Sequence, residues 1–347
     1  MGPNISHQLT EPHLKSLARA LDQLDGARVL VTGGTGFVGK WLIKTSKIAS
    51  EVSSSKIEVI VPTRNLDSVQ AHQAKAIGFT NLQLVQGDVL TDQLQLGSID
   101  KILHAATPAS AQLNESNPAE MTRVNIEAMR AALGYATNNV PFVFTSSGAV
   151  YGRQPQAVVN IPEDQREPYG ELNDAYAASK KVAESMCLEA ANIGKCSPII
   201  ARLFTFSGEY LPLDTHFAIG NFVRNALLRE PIKINSDGKS RRSYMHGSDM
   251  ATWLWAATAK SSIAAPIHVG SERSVSILEL AHAVAEVSAH VLDFRPEVIV
   301  ANPDPSAKNF HQYVPATRKT RALLEVEEWT SLEAGIQQML GAAQSQH

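Results

Sequence analysis

The sequence predicts an α/β fold: a doubly wound parallel sheet with a smaller C-terminal α/β lobe. Three observations support this. Apolar strand-like runs alternate with helix-like segments from residue 27 onward, the pattern of parallel strands joined by crossover helices. The first run ends in a glycine-rich turn that opens a helix, VTGGTGFVGKWL. After Phe204 the texture shifts to longer polar loops with more proline and glycine, which suits a separate substrate lobe over 205–347. A chain of 347 residues is also too long for one simple core.

Taken in order, HLKSLARALDQL at 13–24 puts Leu14, Leu17, Ala18, Leu21 and Leu24 on one helical face, and Gly26 ends it. This predicts a leading helix, within an extension over 1–26, that covers the sheet edge. Strands are expected at ARVLVTGG (27–34), KIEVIVP (56–62), LQLVQGD (82–88), KILHAA (101–106), PFVFTSS (141–147) and PIIARLF (198–204). Helical segments separate most of them, such as MTRVNIEAMRAALGYAT before the fifth. A Rossmann-type dinucleotide-binding domain over 27–204 follows, with possible crossings back from the lobe at 205–347.

Composition narrows the function. Hydrophobic residues make up 44% and charged residues 19%, an ordinary globular balance, and the net charge of −3 argues against a nucleic-acid partner. Cys187 and Cys196 are too few for a disulfide framework and have no His or Cys at ligand spacing, so a reducing cytoplasm and no metal are expected. No apolar run spans a bilayer, and the N-terminus lacks a signal peptide's core. The start Met1-Gly2-Pro3-Asn4-Ile5-Ser6 fits a myristoylation pattern only loosely, with Pro3 against it.

In the glycine loop, Gly33, Gly36 and Gly39 stand at G-x-x-G-x-x-G spacing between a strand and a helix. Chemistry explains the spacing. A tight turn, close backbone approach to a pyrophosphate and close helix packing all require glycine, and the helix start offers unpaired N–H groups to phosphate. The second strand ends in Pro62-Thr63-Arg64 instead of an acid. Arg64 can pair with a 2′-phosphate, which favours NADP(H) over NAD(H), or it can stack on adenine or face water. Asp88 can meet the adenine amino group or cap the segment that follows it.

The candidate chemistry lies in TSSGAVYG (145–152) and AYAASKK (175–181). Tyr176 and Lys180 are four residues apart, so a helix puts both on one face. An ammonium near a phenol is expected to lower its pKa from about 10 toward neutrality, making a proton shuttle.

These motifs resemble the extended short-chain dehydrogenase/reductase family that acts on nucleotide sugars, the NAD-dependent epimerase/dehydratase family. The resemblance runs from about 27 to 325 through TGGTGFVG (32–39), GDV (87–89), HAA (104–106), SSGAVYG (146–152), YAASK (176–180), HFAIGNFV (216–223), RRSYMHGSDMA (241–251), GSERSVSILELA (270–281) and YVPATRKTRALL (313–324). By that resemblance Ser147 holds the reacting sugar oxygen, Tyr176 is the acid/base and Lys180 its tuner. The cofactor would meet Gly33, Thr35, Gly36, Phe37, Val38, Gly39, Arg64, Asp88, Val89, Ala105, Ala106, Thr107 and Asn125, besides Tyr176 and Lys180. A nucleotide-sugar substrate would meet Ser147, Gly148, Thr205, Asn221 and Arg242, with Asn221 and Arg242 on the diphosphate. Ser146 is expected to cap backbone, Tyr151 to pack beneath the loop, Arg241 to face solvent and His268 to be a satisfied core residue. The helices carrying MTRVNIEAMRAALGYA and DAYAASKKVAESMCLEAA are expected to form a homodimer interface.

The resemblance also exposes a departure. Family members that eliminate water carry Asp-Glu at the two positions after the catalytic hydroxyl, and decarboxylating members carry Glu at the second. Here those positions are Gly148 and Ala149. That favours hydride exchange at one sugar carbon, a 4-keto-sugar reductase or a 4-epimerase. A 4,6-dehydratase or decarboxylase would need a relocated acid or base, with Glu209 and His216 the nearest candidates. The reading from another class is a non-catalytic NADP-binding module, though such proteins typically lose the tyrosine or lysine.

Overall fold

The computed structural model describes residues 9–91, 94–107, 111–213, 217–301 and 310–344. The first half runs α1 (Glu11–Asp22), β1 (Arg28–Thr32), α2 (Phe37–Ser50), β2 (Glu58–Thr63), α3 (Val69–Ala76), β3 (Leu82–Gln86), β4 (Lys101–His104), α4 (Ala111–Ser116), α5 (Pro118–Gly134), β5 (Val140–Ser147), α6 (Ala175–Asn192) and β6 (Cys196–Leu203). The second half runs β7 (Phe206–Ser207), α7 (Ala218–Leu227), β8 (Ile232–Ile234), β9 (Arg241–Ser243), β10 (Met245–His246), α8 (Gly247–Ala259), β11 (Ile267–Val269), β12 (Ser274–Ser276), α9 (Ile277–Leu292), β13 (Val298–Val300), β14 (Gln312–Tyr313), α10 (Arg318–Leu324) and α11 (Leu332–Gln344).

Seven parallel strands form the main sheet in the order β11-β6-β5-β4-β1-β2-β3. Its inner strands β1 and β4 and much of β2 and β5 are apolar on both faces because helices cover both, while the edge strand β3 alternates with exposed glutamines. On β1, Val29 and Val31 enter the core shared with α2 and α8, while Leu30 enters the one shared with α5 and α6, the period of two that a pleated strand imposes. Each buried valine or leucine side chain contributes roughly 1.5–3 kcal/mol.

Two expectations change here. The leading helix does not cover the sheet edge; α1 packs on α8 and α2. The reason is α8, buried along its length from Gly247 to Thr258 and therefore in need of cover on its outer side. Leu17, Leu21 and Leu24 supply the apolar part of that cover. His13 supplies the polar part: it stacks on Trp329 at 4.4 Å, bonds Thr252 Oγ1 at 2.8 Å and lies 3.4 Å from Asp249. The sheet also has a seventh strand, β11, which no apolar run announces.

The rest of the C-terminal half builds its own core from Ile219, Phe222, Val223, Leu280, Val284, Ile336 and Leu340. Beside it β9 lies between β12 and β14, with Arg242 in register with Tyr313. Arg241 is not solvent-facing as expected. Its Nε donates to Ser274 Oγ at 2.8 Å, and it pairs with Glu279, which caps α9, so it ties β9 to β12 and α9. Among the described residues no helix is long and apolar enough to cross a membrane, and no His/Cys/Asp/Glu group could hold a metal.

Candidate active site

Two loops at the C-terminal ends of β1 and β4 make the first half of the site. Gly33 has a φ of +72°, and a Cβ there would lie 2.6–2.7 Å from the backbone of Ala105 and Ala106. At Gly39 a Cβ would lie 2.2–2.4 Å from the backbone of Gly34. Neither contact can relax, so glycine is obligatory at both. Gly36 caps α2 without a side-chain bond, leaving the first-turn amides of Phe37, Val38 and Gly39 clear of any capping side chain. This cradle fits a dinucleotide pyrophosphate. Thr35 is half-buried at its rim, and Arg64 is exposed immediately after β2. The Asp88 carboxylate accepts from the Leu90 amide at 2.9 Å, next to half-buried Val89.

The second half sits on β5 and α6. Asp174 caps α6 by accepting from the Ala177 amide at 2.9 Å. Asn114 of α4 clamps the same turn, donating to Asp174 and accepting from the Tyr176 amide, both at 2.9 Å. Sequence reasoning missed Asn114 because its contacts are with backbone and cap, across a separation of 62 residues. The clamp fixes Tyr176 beside Ser147, whose hydrogen bond stabilises the phenolate.

Lys180 lies one turn on, buried, with Nζ donating to Thr107 Oγ1 at 2.5 Å and to the Thr145 carbonyl at 2.8 Å. Burial brings its pKa down to about 7, opposed by the Glu184 charge. The expected tuning of Tyr176 by Lys180 is not what the geometry gives. Nζ is 5.7 Å from the Tyr176 ring centroid and is spent on Thr107 and Thr145. Burial dominates at Tyr176 and raises its pKa, with the Ser147 hydrogen bond opposing and the Asp174 charge adding to the rise.

Beneath these residues runs a buried polar chain. Arg202, 3% exposed, grips Glu184, 4% exposed, in a fork at 2.9 and 2.7 Å. Ser146 donates to Glu184 at 2.7 Å instead of capping backbone. Arg202 also donates to Tyr151 Oη at 2.7 Å. That hydroxyl bonds His268 Nε2 at 2.6 Å, and His268 Nδ1 meets the Ala316 carbonyl at 2.8 Å. Burial lowers the His268 pKa to about 4, so it is neutral and satisfied at ordinary pH. Because Tyr176, Lys180 and Glu184 stand at successive i, i+4 positions, this chain anchors the helix that carries Tyr176 and Lys180.

The wall over Ser147 is closed by residues the sequence did not single out. A Cβ at Gly148 would lie 2.6 Å from Phe204 and 2.7 Å from Tyr313 Oη. Tyr313 Oη is 3.5 Å from Ser147 Oγ, and the Arg242 guanidinium is 5.9 Å from the Tyr313 ring centroid. The signal was YVPATRKTRALL, whose resemblance to the family did not mark out its tyrosine. Glu209 pairs with Lys44 of α2, and its backbone carbonyl accepts from Trp41 Nε1 at 2.9 Å. His216 lies outside the described residues. Asn221 is half-buried on α7. Thr205 Oγ1 and Asn125 Oδ1 are buried without a partner among the described residues, and Asn125 Nδ2 is held by the Met121 carbonyl at 2.9 Å.

The sequence and the fold are similar to those of known proteins. The sequence model described as the NAD dependent epimerase/dehydratase family matches residues 29–270. UDP-glucuronic acid decarboxylase 2 of Arabidopsis thaliana is 29% identical over 322 residues, covering 91% of this chain and 68% of that protein. UDP-glucuronic acid decarboxylase 1 of Danio rerio is 28% identical, covering 91% and 72%. Among solved structures, UDP-glucuronic acid 4-epimerase from Bacillus cereus, in complex with UDP-glucuronic acid and NAD, superposes with a TM-score of 0.76 at 20% identity, covering 92% of this chain and all of that one. UDP-glucose 4-epimerase from Thermotoga maritima, with UDP-glucose, gives 0.75 at 19% identity, covering 92% and 99%.

Proposed function

The chain belongs to the NAD-dependent epimerase/dehydratase family, and from that premise we propose that it exchanges hydride at C4 of a nucleotide-diphosphate sugar, as a 4-keto-sugar reductase or a 4-epimerase. The observation that carries this reading is Tyr176 and Lys180 on one face of α6 beside Ser147 at the end of β5, with glycine and alanine in place of acids at 148 and 149. A bound nicotinamide supplies the hydride chemistry. Ser147 holds the sugar oxygen, and Tyr176 gives it a proton or takes one. Arg242 and Asn221 grip the diphosphate, and exposed Arg64 favours NADP(H).

The relatives named UDP-glucuronic acid decarboxylases favour a second reading, loss of a carboxylate from an oxidised uronic acid. Against it stand Gly148 and Ala149 and the commitment of Glu209 to Lys44. Mass spectrometry of nucleotide released from the purified protein, followed by incubation with candidate nucleotide sugars, tests the choice. Retained NAD(H) with product of unchanged mass indicates the epimerase. An empty site that then consumes NADPH with a 4-keto sugar indicates the reductase. Release of carbon dioxide would replace both with the decarboxylase.

We also propose a homodimer through α5 and α6. They pack side by side in one core, and α6 leaves Val182 and Leu188 exposed. Light scattering is expected to give twice the chain mass, and Leu188→Glu to halve it. A monomeric wild type at micromolar concentration would refute the pairing.

A further inference from the structure

Tyr313 reaches the reaction centre from the far end of the chain. Its ring lies 4.9 Å from Phe204. Its hydroxyl donates to the Leu203 carbonyl and shares a hydrogen bond with Ser147 Oγ, in which either oxygen can donate, each at 3.5 Å. Hydroxyl hydrogen bonds are ordinarily about 2.7–2.8 Å, so neither acceptor fully claims the proton. Ser147 Oγ already accepts from the Ala149 amide at 3.1 Å. Burial holds the Tyr313 phenol far above the ordinary tyrosine range, so it remains a donor. A half-buried phenol that makes only long hydrogen bonds beside Ser147 has a donor free to serve a third oxygen.

Position indicates which oxygen. Arg242 stands at the Tyr313 ring and Ser147 at its hydroxyl. On the reading above, which this inference extends, these are the diphosphate end and the reacting end of the substrate. We propose that Tyr313 is a third hydroxyl of the reaction centre, donating to the same sugar oxygen as Ser147. Gly148 is the condition for this, because a side chain there would displace the phenol. The oxygen alternates between hydroxyl and carbonyl, and negative charge gathers on it between the two. A donor fixed in a dry site stabilises that charge without reorganising. Tyr313 keeps its proton throughout; no bond to it forms or breaks, and Tyr176 alone transfers one.

Tyr313→Phe keeps the ring and removes the donor. With wild-type turnover established, the variant is expected to lose about 10²-fold in kcat. Its melting temperature and its calorimetric affinities for cofactor and nucleotide sugar should stay at wild-type values, which separates a chemical role from a packing one. Gly148→Ala keeps the phenol but pushes it away, and a loss of similar size is expected. A full-speed Tyr313→Phe beside a slow Gly148→Ala would assign the wall to packing and overturn the inference. A rise in KM with kcat unchanged would overturn it too, moving the contact to a hydroxyl away from the reacting carbon. A wild type that binds cofactor yet turns over no nucleotide sugar would remove the parent reading and this extension together; a fast Tyr313→Phe removes the extension alone.

Discussion

Replacing Tyr176 by Phe is expected to cut kcat by about 10²–10⁴-fold while leaving cofactor affinity at the wild-type level. The ring stays, so the Asn114 clamp on the backbone and the packing against Lys180 persist. Only the transferable proton is lost. Titrating the variant with NADPH and NAD separately, alongside steady-state turnover, checks both parts. A variant within tenfold of wild-type kcat would mean the phenol is not the acid/base.

Arg202→Met is expected to destabilise the fold by about 3–5 kcal/mol, because it leaves the Glu184 carboxylate buried without its partner. The same change removes a donor from Tyr151 and loosens α6, so activity should fall with stability. The double variant Arg202→Met with Glu184→Leu takes out both charges and is expected to recover much of the loss, since a matched apolar pair often equals a buried ion pair. Urea denaturation of the three proteins measures this. If the single variant unfolds within about 1 kcal/mol of wild type, the pair behaves like an exposed one and the anchoring argument fails.

Much of this molecule was legible in the sequence where the signal is local. Six of the seven sheet strands show as apolar or alternating runs, because inner strands covered on both faces have little polar alternation and the edge strand β3 alternates in the period of two. The glycine cradle is a short-range device written in consecutive residues. The common face of Tyr176 and Lys180 follows from helix geometry alone.

What escaped is long-range or competitive. Strand β11 is three residues with a histidine at its centre, too short to show a period, and it exists because β6 offers an open edge. Tyr313 meets Ser147 across 166 residues, and the mark it left near Ser147 was a glycine. The tuning of Tyr176 failed for a different reason. Spacing reports which side chains share a face, but not that Thr107 and the Thr145 carbonyl would draw the ammonium, nor that burial would outweigh it.

The late arrival of β11 bears on how the chain is made. During synthesis β6 emerges with Leu203, but its neighbour is complete only at Val269. At ~5–20 residues per second the nascent sheet therefore spends several seconds with one flank unpaired. Over the same interval α8 is still emerging, and the apolar face it will cover stays bare. In that window an unpaired strand edge and a bare apolar face are open together, the two surfaces on which a nascent chain can pair wrongly.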